Sequence, residues 1–223
     1  MKKPLVIGIV APMKAGKTTT TNMLSEFVEC KESAFADKLK NASSAAFDVE
    51  RKHFDDQSLK EVPFETPMIF TKERIEKVLS FYVPNPSDIN YQHLVGMELK
   101  TPRQIAQVVG TELLRDCVAR DVHIIHVPIH ANVVTVISDT RFENEYEVMK
   151  QRGDIEYHPV YVYRKEAEEI ARQSKHISET EFLKFKDKCY QLDNNGDLRD
   201  LEFNVKKFID SVLLARESHG KVE

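Results

Sequence analysis

Leu5 to Thr21 reads LVIGIVAPMKAGKTTTT, and this stretch decides the fold. The apolar, mostly β-branched run Leu5, Val6, Ile7, Ile9 and Val10 predicts a buried strand of the kind found inside parallel sheets. It breaks into a loop of small residues ending in Gly16-Lys17-Thr18, after which Met23, Leu24, Phe27 and Val28 recur at helical spacing. Strand, loop and helix in that order form the P-loop pattern, with Ala11 where the strict motif has its first glycine. Backbone N–H groups of such a loop converge on a concavity that fits phosphate oxygens, and the helix N-terminus adds its positive dipole end. Lys14, Ala15, Gly16, Lys17, Thr18 and Thr19 are therefore expected to hold a nucleoside triphosphate. Gly16 supplies the backbone freedom and Lys17 a point charge for the β- and γ-phosphates. The Thr18 hydroxyl is placed to hold a magnesium ion bridging them, so ATP and Mg2+ are the expected ligands.

The chain has 223 residues, 41% of them hydrophobic, enough to bury one sizeable core. We expect a single α/β domain over 1–223, with an insertion at about 52–100. A formal charge of −4 and a pI near 6.1 argue against a nucleic-acid coat, which needs concentrated Lys and Arg. Cys30, Cys117 and Cys189 are odd in number, far apart and without a C-x-x-C pair, which argues against a disulfide framework or zinc site and fits a reducing cytoplasm. Met1-Lys2-Lys3 resembles the charged start of a signal peptide, but the apolar run behind it leads into the loop without a small-residue cleavage site. No stretch approaches the length of a membrane span, so the expected partners are small-molecule nucleotides, with no membrane and no direct nucleic-acid contact.

Further along the chain, Ser33-Ala34-Phe35-Ala36 predicts a second strand. Asp37 stands at its end, either facing a substrate or capping the helix that begins Lys38-Leu39-Lys40. Between Lys52 and Lys100 four prolines interrupt the pattern and one helix stands out at about Thr71 to Phe81, which reads as a helical insertion on the substrate side. Thr101-Pro102 opens the next helix as N-cap and first-turn proline. Its core stripe is Ile105, Val108, Val109 and Leu113, and Arg103, Gln107 and Gly110 share the opposite face: a fork for phosphate, an amide for a base edge, and room for close approach. Without a further signal, an exposed face with incidental Arg and Gln explains the same spacing.

Val133 to Ser138 is another buried strand, ending at Asp139, a carboxylate placed to contact magnesium or its water. Arg141 follows, able to clamp phosphate or to pair with Glu145 across one helical turn, in a helix that ends near Arg152-Gly153. Val160 to Tyr163 forms a fourth strand. It ends at Arg164, a charged helix follows from about Glu166 to Gln173, and Arg164, Arg172 and Lys175 are candidates for a small lid at about 164–180. Cys189 to Leu192 is the fifth strand, followed by the Asp193-Asn194-Asn195-Gly196 turn and a terminal helix carrying Leu201, Val205, Phe208, Ile209 and Val212. The calcium-loop spacing from Gln191 to Glu202 starts with the wrong ligand, and His123, His126 and His130 lie in an apolar segment without carboxylates, so neither reads as a metal site.

Taken together, these motifs resemble the phage-type deoxynucleoside monophosphate kinases of the P-loop nucleotide kinase superfamily. The resemblance rests on Phe35-Ala36-Asp37 with Leu39-Lys40, on Thr101-Pro102-Arg103-Gln104 through Gly110-Thr111-Glu112 and Arg115, on Ser138 through Glu145, and on His176-Ile177-Ser178-Glu179. It implies a central parallel five-stranded sheet flanked by helices, and transfer of the ATP γ-phosphoryl group to a deoxynucleoside 5′-monophosphate. It also implies catalytic roles for Lys17, Asp139 and Arg141, nucleotide contacts from Arg172, and substrate contacts from Asp37, Lys40, Arg103, Gln107, Gly110, Asp139, Arg141 and Glu145. By analogy the protein would be cytoplasmic (in a host cytoplasm if phage-encoded) and a homodimer is conceivable. His123 stands where relatives tend to carry tryptophan. The competing readings are another small-molecule P-loop kinase, resembling dephospho-coenzyme A kinase or adenylate kinase, and a P-loop ATPase or switch module acting on a macromolecule.

Overall fold

A computed structural model describes residues 2–173 and 180–219. In chain order the elements are β1 (Leu5–Val10), α1 (Lys17–Phe27), β2 (Cys30–Ser33), α2 (Asp37–Phe47), α3 (Lys52–Asp55), β3 (Met68–Ile69), α4 (Lys72–Leu79), β4 (Glu98–Leu99), α5 (Pro102–Gln107) and α6 (Val122–Ile125). They continue with β5 (Val134–Thr140), α7 (Glu143–Gln151), β6 (Glu156–Tyr163), α8 (Lys165–Arg172), β7 (Tyr190–Asp193) and α9 (Leu198–His219). The chain divides into two compact units, 1–34 with 128–223, and 35–127. Among the described residues no helix is long and apolar enough to cross a membrane.

The first unit is an α/β layer around a five-stranded sheet in the order β2-β5-β1-β6-β7, with every pairing parallel. β1 is buried along its whole length because β5 and β6 flank it and helices cover both faces, which is why its residues need no polar alternation. Its core joins Leu5, Ile7 and Ile9 to Val136, Val160, Val162 and Leu192 of the neighbouring strands and to Leu201, Val205, Phe208, Ile209 and Val212 of α9. The ladder between β1 and β5 slips beyond Gly8, which pairs with Ile137 while Val10 pairs with Thr140. One extra residue is thereby accommodated in β5 beside Asp139, a bulge that re-aims the side chains at the strand's end.

Two strand expectations are corrected. β2 covers Cys30–Ser33, not Ser33 to Ala36. It is the edge of the sheet, and the exposed Lys31 and Glu32 that disguise it are the charges that discourage edge-to-edge pairing. β6 begins at Glu156 and runs through Pro159, which pairs with Gly8 of β1 just before β7 joins the other side at Val160. A proline is tolerated there because its missing N–H faces an open edge.

The second unit packs α2, α4 and α5 around Phe47, Phe70, Ile75, Leu79, Leu94, Leu99, Ile105 and Leu113. The segment expected as an insertion, about 52–100, lies within it. The α5 start follows the expected chemistry, with Thr101 Oγ1 accepting from the Gln104 N–H at 3.1 Å, and α4 is capped in the same way by Thr71, whose Oγ1 accepts from the Arg74 N–H at 3.4 Å. Beyond Gln107 the chain does not continue as an α-helix: Val108–Val118 winds as a π-helix. Its i→i+5 repeat aligns Val108 with Leu113 and Val109 with Leu114, and all four are buried. The altered winding also removes Gly110 from the face of Arg103 and Gln107.

Candidate functional site

Ligands of open parallel sheets sit beyond the carboxyl ends of the strands. In the first unit that position holds a cleft of about 450 Å³, lined by Ala11, Pro12, Met13, Lys14, Gly16, Lys17, Thr18, Thr19, Thr140, Arg141, Arg164 and Phe182. These residues come from the loops after β1, β5 and β6 and from the short turn Glu181–Lys184. Four of them are cationic, and among the described residues no carboxylate lines the wall.

The loop after β1 has the backbone shape a phosphate cradle needs. Lys14 sits at φ 67 and Gly16 at φ 94, both left-handed, and the Ala15 N–H closes a turn onto the Pro12 carbonyl at 3.2 Å. Such reversals turn successive N–H groups toward one side. Helix α1 starts at Lys17 behind Gly16, which makes no side-chain cap, and the positive end of its dipole stands at the loop. Thr20 and Thr21, by contrast, turn their hydroxyls back to the carbonyls of Gly16 and Lys17 at 3.1 Å each, and the threonines that line the cleft are Thr18, Thr19 and Thr140. This donor set of backbone N–H, ammonium, guanidinium and hydroxyl suits a polyphosphate with a hard divalent cation.

Asp139 lies in the last part of β5, inside the strand, half-buried beside the bulge. Arg141 follows in the cleft wall. Glu145 is 3% exposed, and its Oε2 accepts from the N–H groups of Arg141 at 2.8 Å and Phe142 at 3.0 Å. A carboxylate in the first turn of α7, reaching back to the residues before the helix, ties down the backbone that carries Arg141. Glu145 thus reaches Arg141 through its main-chain N–H.

Arg172 is not among the cleft residues. It pairs with Glu168 one helical turn earlier, and Glu168 also accepts from Tyr161 and lies 3.4 Å from Lys186 Nζ. Burial acts to raise the Glu168 pKa, but these donors outweigh it and hold the carboxyl below its usual range. The arginine of this region that lines the cleft is Arg164. Lys175 and His176 to Glu179 lie outside the described residues.

In the second unit, Asp37 is the first residue of α2, with Ala36 in the cap position, so it does not serve as N-cap. Arg51 reaches Asp37 at 2.8 Å and Asp55 at 2.9 Å, and Lys40 reaches Asp55 at 2.8 Å. Arg103 pairs with Glu61. Gln107 is exposed. Gly110 is buried, and a Cβ there would stand 2.9 Å from Leu39 Cδ2, so its close neighbour is a core leucine. The Gly110 carbonyl accepts from His123 Nε2 at 3.0 Å, which assigns the proton to Nε2. Burial, reinforced by Arg115 and His126, lowers the His123 pKa and keeps the ring neutral.

Two residues escaped the sequence reading, Asn194 and the cleft role of Phe182. Asn194 is buried, and its Nδ2 donates to the Ala15 carbonyl at 2.7 Å. The visible signal was the asparagine pair closing the turn after β7; its target, far away in sequence, was not visible.

Sheet order, cradle and cleft define an α/β architecture consistent with the P-loop kinase fold. No protein-family model matches the chain. A protein of Acanthamoeba polyphaga mimivirus named "Putative deoxynucleotide monophosphate kinase" is 25% identical over 227 residues, spanning 93% of this chain and 97% of the relative.

Proposed function

We propose that this chain is an ATP-dependent phosphotransferase that moves the γ-phosphoryl group of ATP onto a deoxynucleoside 5′-monophosphate, giving the diphosphate and ADP. The observation that carries the reading is the cleft at the strand ends, with Lys14, Lys17, Arg141 and Arg164 in its wall and no carboxylate among its described lining residues. A wall of that charge repels acidic ligands least and binds polyphosphate best. The near full-length similarity to the mimivirus protein supports the same class of substrate.

Phosphoryl transfer depends mainly on positioning and charge neutralisation. In this reading the loop N–H groups and Lys17 hold the β- and γ-phosphates, and Arg141 and Arg164 offset the charge that spreads over the transferring group. Thr18 would hold the magnesium ion, which supplies electrostatic bridging of the phosphates, and Asp139 would orient its water. The attacking atom is an already ionised phosphate oxygen, so no strong general base is required. Glu145 acts through the backbone of Arg141. Recognition of the acceptor is assigned to Gln107 and Arg103, with Asp37 and Lys40 contributing through their ion-pair cluster.

The test is ADP formation from Mg-ATP across the common deoxynucleoside and ribonucleoside monophosphates, with Lys17→Ala as control. Turnover that requires a deoxynucleotide acceptor, and falls by about 10³-fold or more in Lys17→Ala, is the expected result. Acceptor-independent hydrolysis, or Lys17→Ala turnover equal to wild type, would refute the assignment.

A further inference from the structure

The turn after β7 makes three hydrogen bonds to the segments that frame the cleft. Asn194, 8% exposed, donates its backbone N–H to the Tyr163 carbonyl at 2.8 Å and its side-chain amide to the Ala15 carbonyl at 2.7 Å. Asn195, exposed, uses Oδ1 to accept from the Lys165 N–H at 2.8 Å. Lys165 is the first residue of α8, and the residue before it is the cleft-lining Arg164. The turn is itself braced, since Asn204 Nδ2 donates to the Asp193 carbonyl at 3.0 Å.

We propose that Asn194 and Asn195 form a two-armed clamp that positions the nucleotide cleft, one arm setting the loop that cradles the phosphates and the other setting the arginine at the base of α8. The first arm follows from peptide geometry. In a trans peptide the carbonyl of one residue and the N–H of the next point in opposite directions. Holding the Ala15 carbonyl against Asn194 therefore turns the Gly16 N–H away from the buried turn, making it a preoriented donor in the cradle. The same closeness explains the glycine: a Cβ at Gly16 would collide with Asn194 Nδ2. The second arm is a helix cap supplied from a distant part of the chain. It satisfies the first N–H of α8 and so determines where that helix begins, and with it where Arg164 leaves the backbone. A buried amide is the fitting group for the first task, because a carboxylate in its place would offer an acceptor to an acceptor.

The inference rests on the nucleotide-binding half of the proposed function and is independent of the acceptor. The test is calorimetric binding of Mg-ADP to the full-length protein and to Asn194→Asp, alongside thermal unfolding without nucleotide. Asn194→Asp is expected to bind Mg-ADP about 10- to 100-fold more weakly, beyond any loss of folded protein. If Asn194→Asp does not fold, Asn195→Ala carries the test. Calorimetry of that variant should show Mg-ADP binding about 3- to 10-fold weaker, with no additivity with Arg164→Ala. Wild-type affinity in folded Asn194→Asp, or full additivity of Asn195→Ala with Arg164→Ala, would overturn the clamp. Wild-type protein that binds Mg-ADP but phosphorylates no monophosphate would sink the proposed reaction while leaving the clamp measurable; wild-type protein that fails to bind Mg-ADP would remove both.

Discussion

In the first unit Lys14, Lys17, Arg141 and Arg164 line one cleft with no carboxylate among its described lining residues, whereas in the second Lys40, Arg51 and Arg103 each face Asp55, Asp37 or Glu61. The residue types are the same, and the sequence reading nominated Lys40 and Arg103 of the second set for substrate just as it nominated Lys17 and Arg141 of the first for phosphate. What separates them is the placement of the counter-charges. In the second unit an incoming anion has to compete with carboxylates already in contact. In the first, Glu166 stands 4.0 Å from Arg164, but it is not among the residues that line the cleft.

That contrast can be broken most forcefully at Gly16. Gly16→Ala puts a side chain at a left-handed φ of 94 and into Asn194 Nδ2, so the loop must give way. We expect Mg-ATP binding at least about 100-fold weaker by calorimetry, with a stability loss of about 1–3 kcal/mol in chemical denaturation. Unchanged affinity would mean that cations alone, without loop shape, define the cleft.

A smaller effect sharpens the other side of the comparison. The folded-state pKa of His123 lies below its unfolded value near 6.5, so between the two the unfolded chain binds more protons. Stability is therefore fully present above about pH 6.5 and is lost as pH falls toward the folded pKa, by no more than about 1.4 kcal/mol per pH unit for one proton. Thermal melts at pH 7.5 and 5.5 should show this loss in wild type and a reduced one in His123→Gln, which keeps an N–H donor without the titration. An identical pH dependence in the two proteins would mean that the buried ring is not the group responsible.

The smallest effect is expected at Arg51. Its pairs with Asp37 and Asp55 are about one-third to one-half exposed, and such pairs contribute up to about 1 kcal/mol. Arg51→Met should lower stability by no more than that, and the deficit should shrink at 1 M salt. A loss several-fold larger, insensitive to salt, would show that the cluster is a structural keystone and not a screened surface network.

The parts of the molecule legible from sequence were those governed by local chemistry. The β1–loop–α1 unit, the Thr101 cap and the apolar stripe of α9 all follow from neighbours within a few residues. The edge strand β2 was misplaced because its exposed face carries charge, and β6 was cut short because a proline inside a strand looks like a stop until its one-sided pairing is known. Pattern reading assumes a 3.6-residue repeat, and the π-helical segment at Val108–Val118 violated it, so Gly110 was assigned to the wrong face. Within the cleft, the loop and Arg141 could be read directly. Arg172 was chosen over Arg164 although Glu168 stands four residues before it, a spacing that already predicts an ion pair. Asn194 was beyond reach, since nothing local to it indicates the Ala15 carbonyl.

The strand order has a consequence for how this protein comes into being. β1 is made early, yet its sheet partners are β5 and β6, and β2, the strand synthesised next, also pairs with β5. Val6 must wait for Thr135 and Tyr157, so no rung of the sheet can form until the ribosome has passed through all of 35–127. The intervening unit, a compact cluster built from one continuous stretch of chain, can collapse while the first strands are still without neighbours. The most apolar strand of the chain is thus the one that spends longest unpaired during translation, which makes the nascent β1 segment the point of greatest aggregation risk and the natural place for a chaperone to act.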